Sequence, residues 1–323
     1  MKRFSKLAVI LAAALFASAP ALAVQLKAAD VHPLGYPTVA AVESMGKKLD
    51  AATKGRLTVK MFPGMVLGDE KSMIEQTQAG GIDILRTSLG PVGPVVPDVN
   101  VFNMPFVFRD AAHMRAVIDG PIGDEILTKI SNSSANLVAL AWMDGGTRNL
   151  YTKKPVRKPA DLAGTKVRMM GNPLFVDTMN AMGGSGISMG FGELYSALQT
   201  GVVDGAENNE PSYVSTNHFT VAKYYSLTGH LMIPEILVFS KTNWNKLSPE
   251  DQKLIRTLAR DAQFEQRQLW DKRVTMDSAR MKSAGVTIIT DVDKDAFFKA
   301  TQPVRDKYGA QFADLIKRIQ ATK

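Results

Sequence analysis

Apolar positions change rhythm along this chain. Over residues 36–53, Val39, Val42, Met45 and Leu49 recur every three or four places, the spacing of a helix with one buried face, and Lys54-Gly55 ends it. Over 56–62 the period is two. Leu57, Val59 and Met61 alternate with other side chains, which predicts a half-buried strand. Residues 26–29 and 82–87 read as further strands, and Asp69 caps a helix that runs through Met73 and Ile74 to Gln78 and stops at Gly80-Gly81. A β-α-β-α-β order predicts a mostly parallel sheet with helices on its faces. The rhythm returns later, with strands at 137–143, 165–170 and 202–203 and helices at 173–182 and 193–200. Two such groups imply two lobes of similar α/β architecture.

Ser248-Pro249-Glu250-Asp251 then places a cap, a proline at the first helical position and acids in the first turn. No proline or glycine follows until Gly285. Some 35 helical residues at about 1.5 Å each span about 50 Å. That exceeds one small domain, so this helix is expected to lie across both lobes and brace them.

Composition narrows the class. With 323 residues, 45% hydrophobic and 22% charged, the chain is an ordinary globular protein long enough for two domains. It holds no cysteine, which excludes disulfides, thiolate metal sites and a cysteine nucleophile. Lys2, Arg3 and Lys6 precede an apolar run at 7–17, and Ala21-Leu22-Ala23 offers small residues for cleavage. Residues 1–23 therefore read as a signal peptide, with the mature chain starting near Val24. The run is too short to span a bilayer, and without a cysteine the chain cannot be acylated as a lipoprotein, so the expected location is the periplasm, free of any lipid anchor. Removing the three N-terminal cations leaves 36 Lys and Arg against 31 acids, or +5. Without a basic cluster this argues against nucleic acid and for a mild attraction to small anions.

Catalytic signatures are missing. The histidines at 32, 113, 218 and 230 lack metal-ligand spacing, Gly190-Phe191-Gly192-Glu193 lacks the third glycine of a dinucleotide fingerprint, and Gly183-Gly184-Ser185-Gly186 does not match a nucleophile elbow. No metal, cofactor or catalytic residue is assigned. What stands out is cationic and amide groups in unusual places. Arg168 lies in the second half of an apolar strand, where it must either line a cleft or find an internal acid. Arg148 follows a glycine-bearing turn and Asn208 follows Asp204-Gly205, near the strand ends where open α/β sheets bind ligands.

Residues 165–210, with Lys166-Val167-Arg168, the run from Met189-Gly190-Phe191-Gly192-Glu193 to Val203-Asp204-Gly205, and Glu207-Asn208, resemble the solute receptors of tripartite ATP-independent periplasmic (TRAP) transporters. Phe62-Pro63, Leu67-Gly68 and the long helix extend the likeness over the whole mature chain. The resemblance implies a two-lobed periplasmic-binding-protein clamshell, each lobe a mixed, mostly parallel sheet flanked by helices, with lobe I at 24–145 plus 234–273 and lobe II at 146–233 plus 274–323. It implies Arg168 as the principal two-pronged carboxylate contact, Arg148 as the accessory arginine and Asn208 as the amide that fixes them.

Ala29-Asp30-Val31-His32-Pro33, the segment around Arg86, and Asn208-Asn209 with Pro211-Ser212-Tyr213 further resemble hexuronate-binding members. His32, Lys71 and Arg86 are then expected on sugar hydroxyls, with Glu70, Ser88, Asn209 and Tyr213 as weaker candidates. Each has a plainer alternative: His32 as a turn cap, Lys71 as a solvated side chain, Arg86 paired with Asp83 or Asp98. Met169-Met170 and Gly183-Gly184-Ser185-Gly186 depart from the family near the expected cleft. The implied partners are an organic acid, a uronate foremost, and integral membrane TRAP symporter subunits, with the receptor itself a monomer. A secreted hydrolase or lyase of acidic sugars, or a ligand-sensing accessory protein, are the competing functions.

Overall fold

The computed structural model describes residues 23–323, so the expected signal peptide, residues 1–23, falls, apart from Ala23, outside the described residues. Eleven strands form two sheets. The first contains β1 (Val24–Ala29), β2 (Leu57–Phe62), β3 (Ile84–Ser88), β4 (Leu137–Met143) and β10 (Glu235–Ser240), in the order β2-β1-β3-β10-β4. The second contains β5 (Thr147–Thr152), β6 (Lys166–Met169), β7 (Ser185–Ser188), β8 (Gly205–Asn208), β9 (Tyr224–Met232) and β11 (Thr287–Ile289), in the order β11-β9-β5-β8-β6-β7.

Each sheet is mixed. β10 runs antiparallel to β3 and β4, and β5 runs antiparallel to β8 and β9, while β1 pairs parallel with β2 and β3, and β6 with β7 and β8. Each of those two strands follows a short crossover between the sheets: the chain crosses between Met143 and Thr147 and returns between Met232 and Glu235. The two-lobed α/β clamshell expected from the resemblance is the fold observed. One expected strand is absent, and β5, β7, β9, β10 and β11 come in addition to those expected. Val202-Val203 is not a strand, and the strand that follows is β8 itself, which carries Glu207 and Asn208 within it instead of beyond its end.

The helix Pro249–Ser283 has the expected 35 residues, and Ser248 Oγ accepts the Asp251 N–H at 3.1 Å. It packs on helix Pro37–Thr53 and β4 of the first lobe and on helix Glu210–Ser215 of the second. Its grip on the first crossover is specific. Gln266 accepts the Asp144 N–H at 2.9 Å and donates to the Asp144 carbonyl at 3.0 Å, while Gln263 accepts the Trp142 N–H at 3.2 Å. Trp270 lies so close to Gly146, at φ +66°, that a Cβ there would stand 2.7 Å from the indole. The brace therefore clamps the segment about which the lobes must turn.

Two of the contacts between the lobes flank the cleft. Tyr36 Oη and Ser212 Oγ are 3.0 Å apart. Asn172, just after β6, donates to the Gly90 carbonyl at 3.0 Å and to Asn100 Oδ1 at 2.9 Å. Beside it a Cβ on Gly90 would stand 2.5 Å from Phe175 of the opposite lobe. A valine at position 90 is accommodated only by parting the lobes, so Gly90→Val is expected to enlarge the radius of gyration in X-ray scattering while leaving far-UV circular dichroism unchanged. An unchanged radius would show that this contact does not set the closed separation.

Candidate functional site

A cavity of about 800 Å³ opens between the lobes. It narrows to an inner recess of about 20 Å³ whose wall includes His32, Arg86, Ser88, Arg148, Asn208 and Glu235, and the two share Glu70, Arg168, Met170 and Phe191. The outer space is the larger, but its lining is mainly apolar and acidic. The converging polar groups that fix a ligand's orientation are in the recess.

Three arginines reach this region, all buried, and the structure treats them differently. Arg86, on β3, donates from Nε to Asp30 Oδ2 at 2.9 Å, from Nη2 to Asp30 Oδ1, and from Nη1 to Glu235 Oε2 at 2.6 Å. The expected acids, Asp83 and Asp98, are not its partners. Arg148, on β5, donates to both carboxylate oxygens of Glu207, with Nη2 to Oε1 at 2.8 Å, and from Nη1 to Asn208 Oδ1 at 2.9 Å. Arg168, on β6, is 2% exposed, yet it donates only Nε, to the Met189 carbonyl at 2.9 Å. Among the described residues no carboxylate comes within 4.0 Å of its guanidinium. Phe191 lies beneath it, with the ring centroid 5.6 Å from Cζ.

Their electrostatics follow from the partners. Burial opposes the charge on all three, but Asp30 and Glu235 more than offset this at Arg86, and Glu207 does so at Arg148, so both pKa values rise. At Arg168 burial prevails over the attraction of Tyr151 and Glu207, and the pKa falls. An anion delivered to Arg168 supplies the compensation that the protein withholds.

The remaining expected residues divide. His32 is buried, stacks on Tyr36 at 3.7 Å between centroids and leaves Nδ1 without a protein partner, and Ser88 Oγ is likewise buried and unpartnered in the recess wall. Asn208 spends Oδ1 on Arg148 and the Asn209 N–H, keeping its amide donors free. Glu70 accepts the Ser88 N–H at 2.9 Å. Lys71 stands exposed at the wall of the outer cavity, as its solvated reading has it.

Asn209 and Tyr213 line neither space, contrary to expectation. Asn209 caps helix Glu210–Ser215 and donates to the Gly145 carbonyl at 2.7 Å, and the Tyr213 hydroxyl is committed to the Ala222 carbonyl at 2.6 Å. Met170 lines both spaces, whereas 183–186 line neither. Sequence reasoning passed over Phe191, Asp30 and Glu235. The first was visible within the Gly190-Phe191-Gly192 segment, but the acids gain meaning only from the fold.

Burial keeps the nearby histidines neutral. It lowers His218 to about 3, with Arg168 adding to the effect, and His230 to about 4. Because an unfolded chain takes up these protons and the folded one does not, each is expected to cost stability as pH falls below about 6.5. Nitrogen-15 spectra at about pH 5 should show both rings neutral, and titration of either near 6.5 would contradict this.

Comparison with known proteins bears on this geometry. Residues 28–311 match the family described as bacterial extracellular solute-binding protein, family 7. A TRAP periplasmic solute-binding protein from Pseudomonas putida F1, solved with bound D-glucuronate, is 62% identical and superposes with a TM-score of 0.92 over 93% of this chain and 98% of that one. A counterpart from Bradyrhizobium in complex with D-galacturonate is 46% identical, with a TM-score of 0.90 over 93% of this chain and 100% of that one. One from Citrobacter koseri, 51% identical, superposes at 0.91 with D-glucuronate bound (93% and 100% covered) and at 0.82 in its apo, open form (92% and 99% covered). As the last two share one source protein, the difference is conformational: the lobes of this chain sit nearer the bound arrangement.

Proposed function

The chain belongs to family 7 of the bacterial extracellular solute-binding proteins, the receptors of TRAP transporters, and from that membership we propose that it captures a hexuronate, D-glucuronate before D-galacturonate. The observation that carries this reading is the buried, acid-free guanidinium of Arg168, which presents two parallel donors to a carboxylate. The uronates named for similar structures supply the solute class.

Arg148, held flat by Glu207, supports the same carboxylate with the Asn208 amide. His32 Nδ1 and Ser88 Oγ receive sugar hydroxyls from the first lobe, and Phe191 offers its ring to the C–H face of the sugar. Arg86, locked by Asp30 and Glu235, acts as a rigid wall, and Lys71 remains at the entrance. Micromolar binding is about −8 kcal/mol, or about −0.6 per heavy atom for a uronate of about 13 such atoms, which demands enclosure on nearly every side. Closure of the lobes provides it and creates the shape that the membrane symporter subunits read. The receptor acts in the periplasm as a monomer and returns its solute unaltered. No helix among the described residues is long and apolar enough to cross a membrane.

Thermal unfolding with a panel of organic acids tests this. D-glucuronate should raise the melting temperature most and be recovered chemically unchanged; consumption of it would favour the hydrolase or lyase. Arg168→Ala should abolish the shift for every carboxylate, with affinity down at least about 100-fold, the cost of truncating a buried charge partner. Arg168→Lys, which keeps charge but loses the fork, should restore little. An undiminished shift in Arg168→Ala would overturn the assigned role.

A further inference from the structure

The recess wall, taken together with the acids that pair with its arginines, contains more acid than base. Three guanidiniums, Arg86, Arg148 and Arg168, meet four carboxylates, Asp30, Glu70, Glu207 and Glu235, and all seven side chains are buried. Two pairs are closed by two-pronged contacts, Arg86 with Asp30 and Arg148 with Glu207. Glu70 is the first residue of helix Glu70–Ala79, where the helix dipole favours an anion, and it accepts the Ser88 N–H. Glu235 has only Nη1 of Arg86, whose charge Asp30 already balances. Glu235 and Arg168 line the same narrow recess, so a carboxylate that Arg168 takes is brought beside Glu235 as a further negative charge.

We propose that Glu235 takes up a proton as the solute anion binds, so that this receptor captures its acid as anion plus H⁺, with Glu235 a specificity-determining residue of the site. The proton comes from the surrounding buffer and goes to Oε1, the oxygen that Arg86 leaves free. The inference rests on the carboxylate reading of Arg168.

The cations whose charge acts on Glu235 are already paired, Arg86 with Asp30 and Arg148 with Glu207. Arg86 faces Glu235 from β3, Asp30 and His32 from the loop after β1, Tyr36 from the start of helix Pro37–Thr53, Glu70 from its helix and Arg148 from β5. Burial holds His32 and Tyr36 in their neutral forms. Asp144, one residue beyond Gly145, is committed to Arg115 and Arg267. Burial has already lifted the Glu235 carboxyl to about 7, against the pull of Arg86 and with Glu70 reinforcing it. A solute anion raises it further. Affinity is then level below about pH 7 and weakens about tenfold per unit above it, until the pKa of the bound state is passed.

Titration calorimetry with D-glucuronate, in phosphate and in Tris at one pH, reads the proton directly. At about pH 8 the two heats should differ by close to one proton taken up per solute, at about pH 6 by little, and Kd should weaken about tenfold from about pH 8 to 9. Glu235→Gln should bind with no proton uptake and a level affinity over that window. The wild-type two-buffer measurement decides the matter even if that variant folds poorly. Binding of constant affinity with equal heats in both buffers would overturn this inference alone, as would uptake that persists in Glu235→Gln. Absence of uronate binding at every pH would overturn the reading of the site as well.

Discussion

A guanidinium taken out of water without a counter-charge is the constraint around which this molecule is organised. Desolvating such a group costs several kcal/mol unless an anion and good hydrogen bonds offset it. The protein meets that requirement twice, at Arg86 and Arg148, and withholds it at Arg168. Phe191 and the Met189 carbonyl hold Arg168 in place without neutralising it. The affinity of the site for a carboxylate is therefore stored in the fold before any solute arrives.

The architecture lets that stored affinity drive a movement. Arg168 stands on the second sheet with Phe191 in a turn beside it, while Ser88 ends β3 of the first, with His32 in the loop after β1 and Glu70 at the start of helix Glu70–Ala79. Only two short crossovers and one long helix join the sheets. Gln266 and Trp270 pin the first crossover to the helix, so bending is confined to a small segment and the lobes move as units. A solute gripped by Arg168 alone leaves its hydroxyls in water. On the proposed reading, closure brings the unpartnered His32 Nδ1 and Ser88 Oγ to it, so the differential affinity for the closed state arises from groups on the opposite lobe.

Much of this was legible in the residues. The periods of 3.6 and 2, the Asp69 cap, the capped 35-residue helix and the order of the elements all express local rules that the fold obeys. Arg168 stood out because an arginine inside an apolar strand breaks a local rule, and the fold places it buried in the recess wall without an acid. The unread part is non-local. Arg86 and Asp30 are 56 positions apart and Arg86 and Glu235 are 149 apart, so their pairing depends on β3 lying between β1 and β10. Asn209 and Tyr213 adjoin the recess-lining Asn208 in sequence but turn into a cap and a core, since the chain leaves the sheet for helix Glu210–Ser215 at that point.

The locked arginines bear on selectivity as much as the free one. Three open guanidiniums in one recess would attract phosphates and di- and tricarboxylates more strongly than a singly charged sugar acid. Tying Arg86 to Asp30 and Arg148 to Glu207 removes two of those charges while keeping their planar donors as rigid walls. A second negative group on a solute would then meet Glu70 within the recess, and Asp69 or Glu193 farther out. The site thus admits one carboxylate at Arg168 and asks that the rest of the solute be neutral and rich in hydroxyls, a requirement imposed as firmly by its acids as by its arginines.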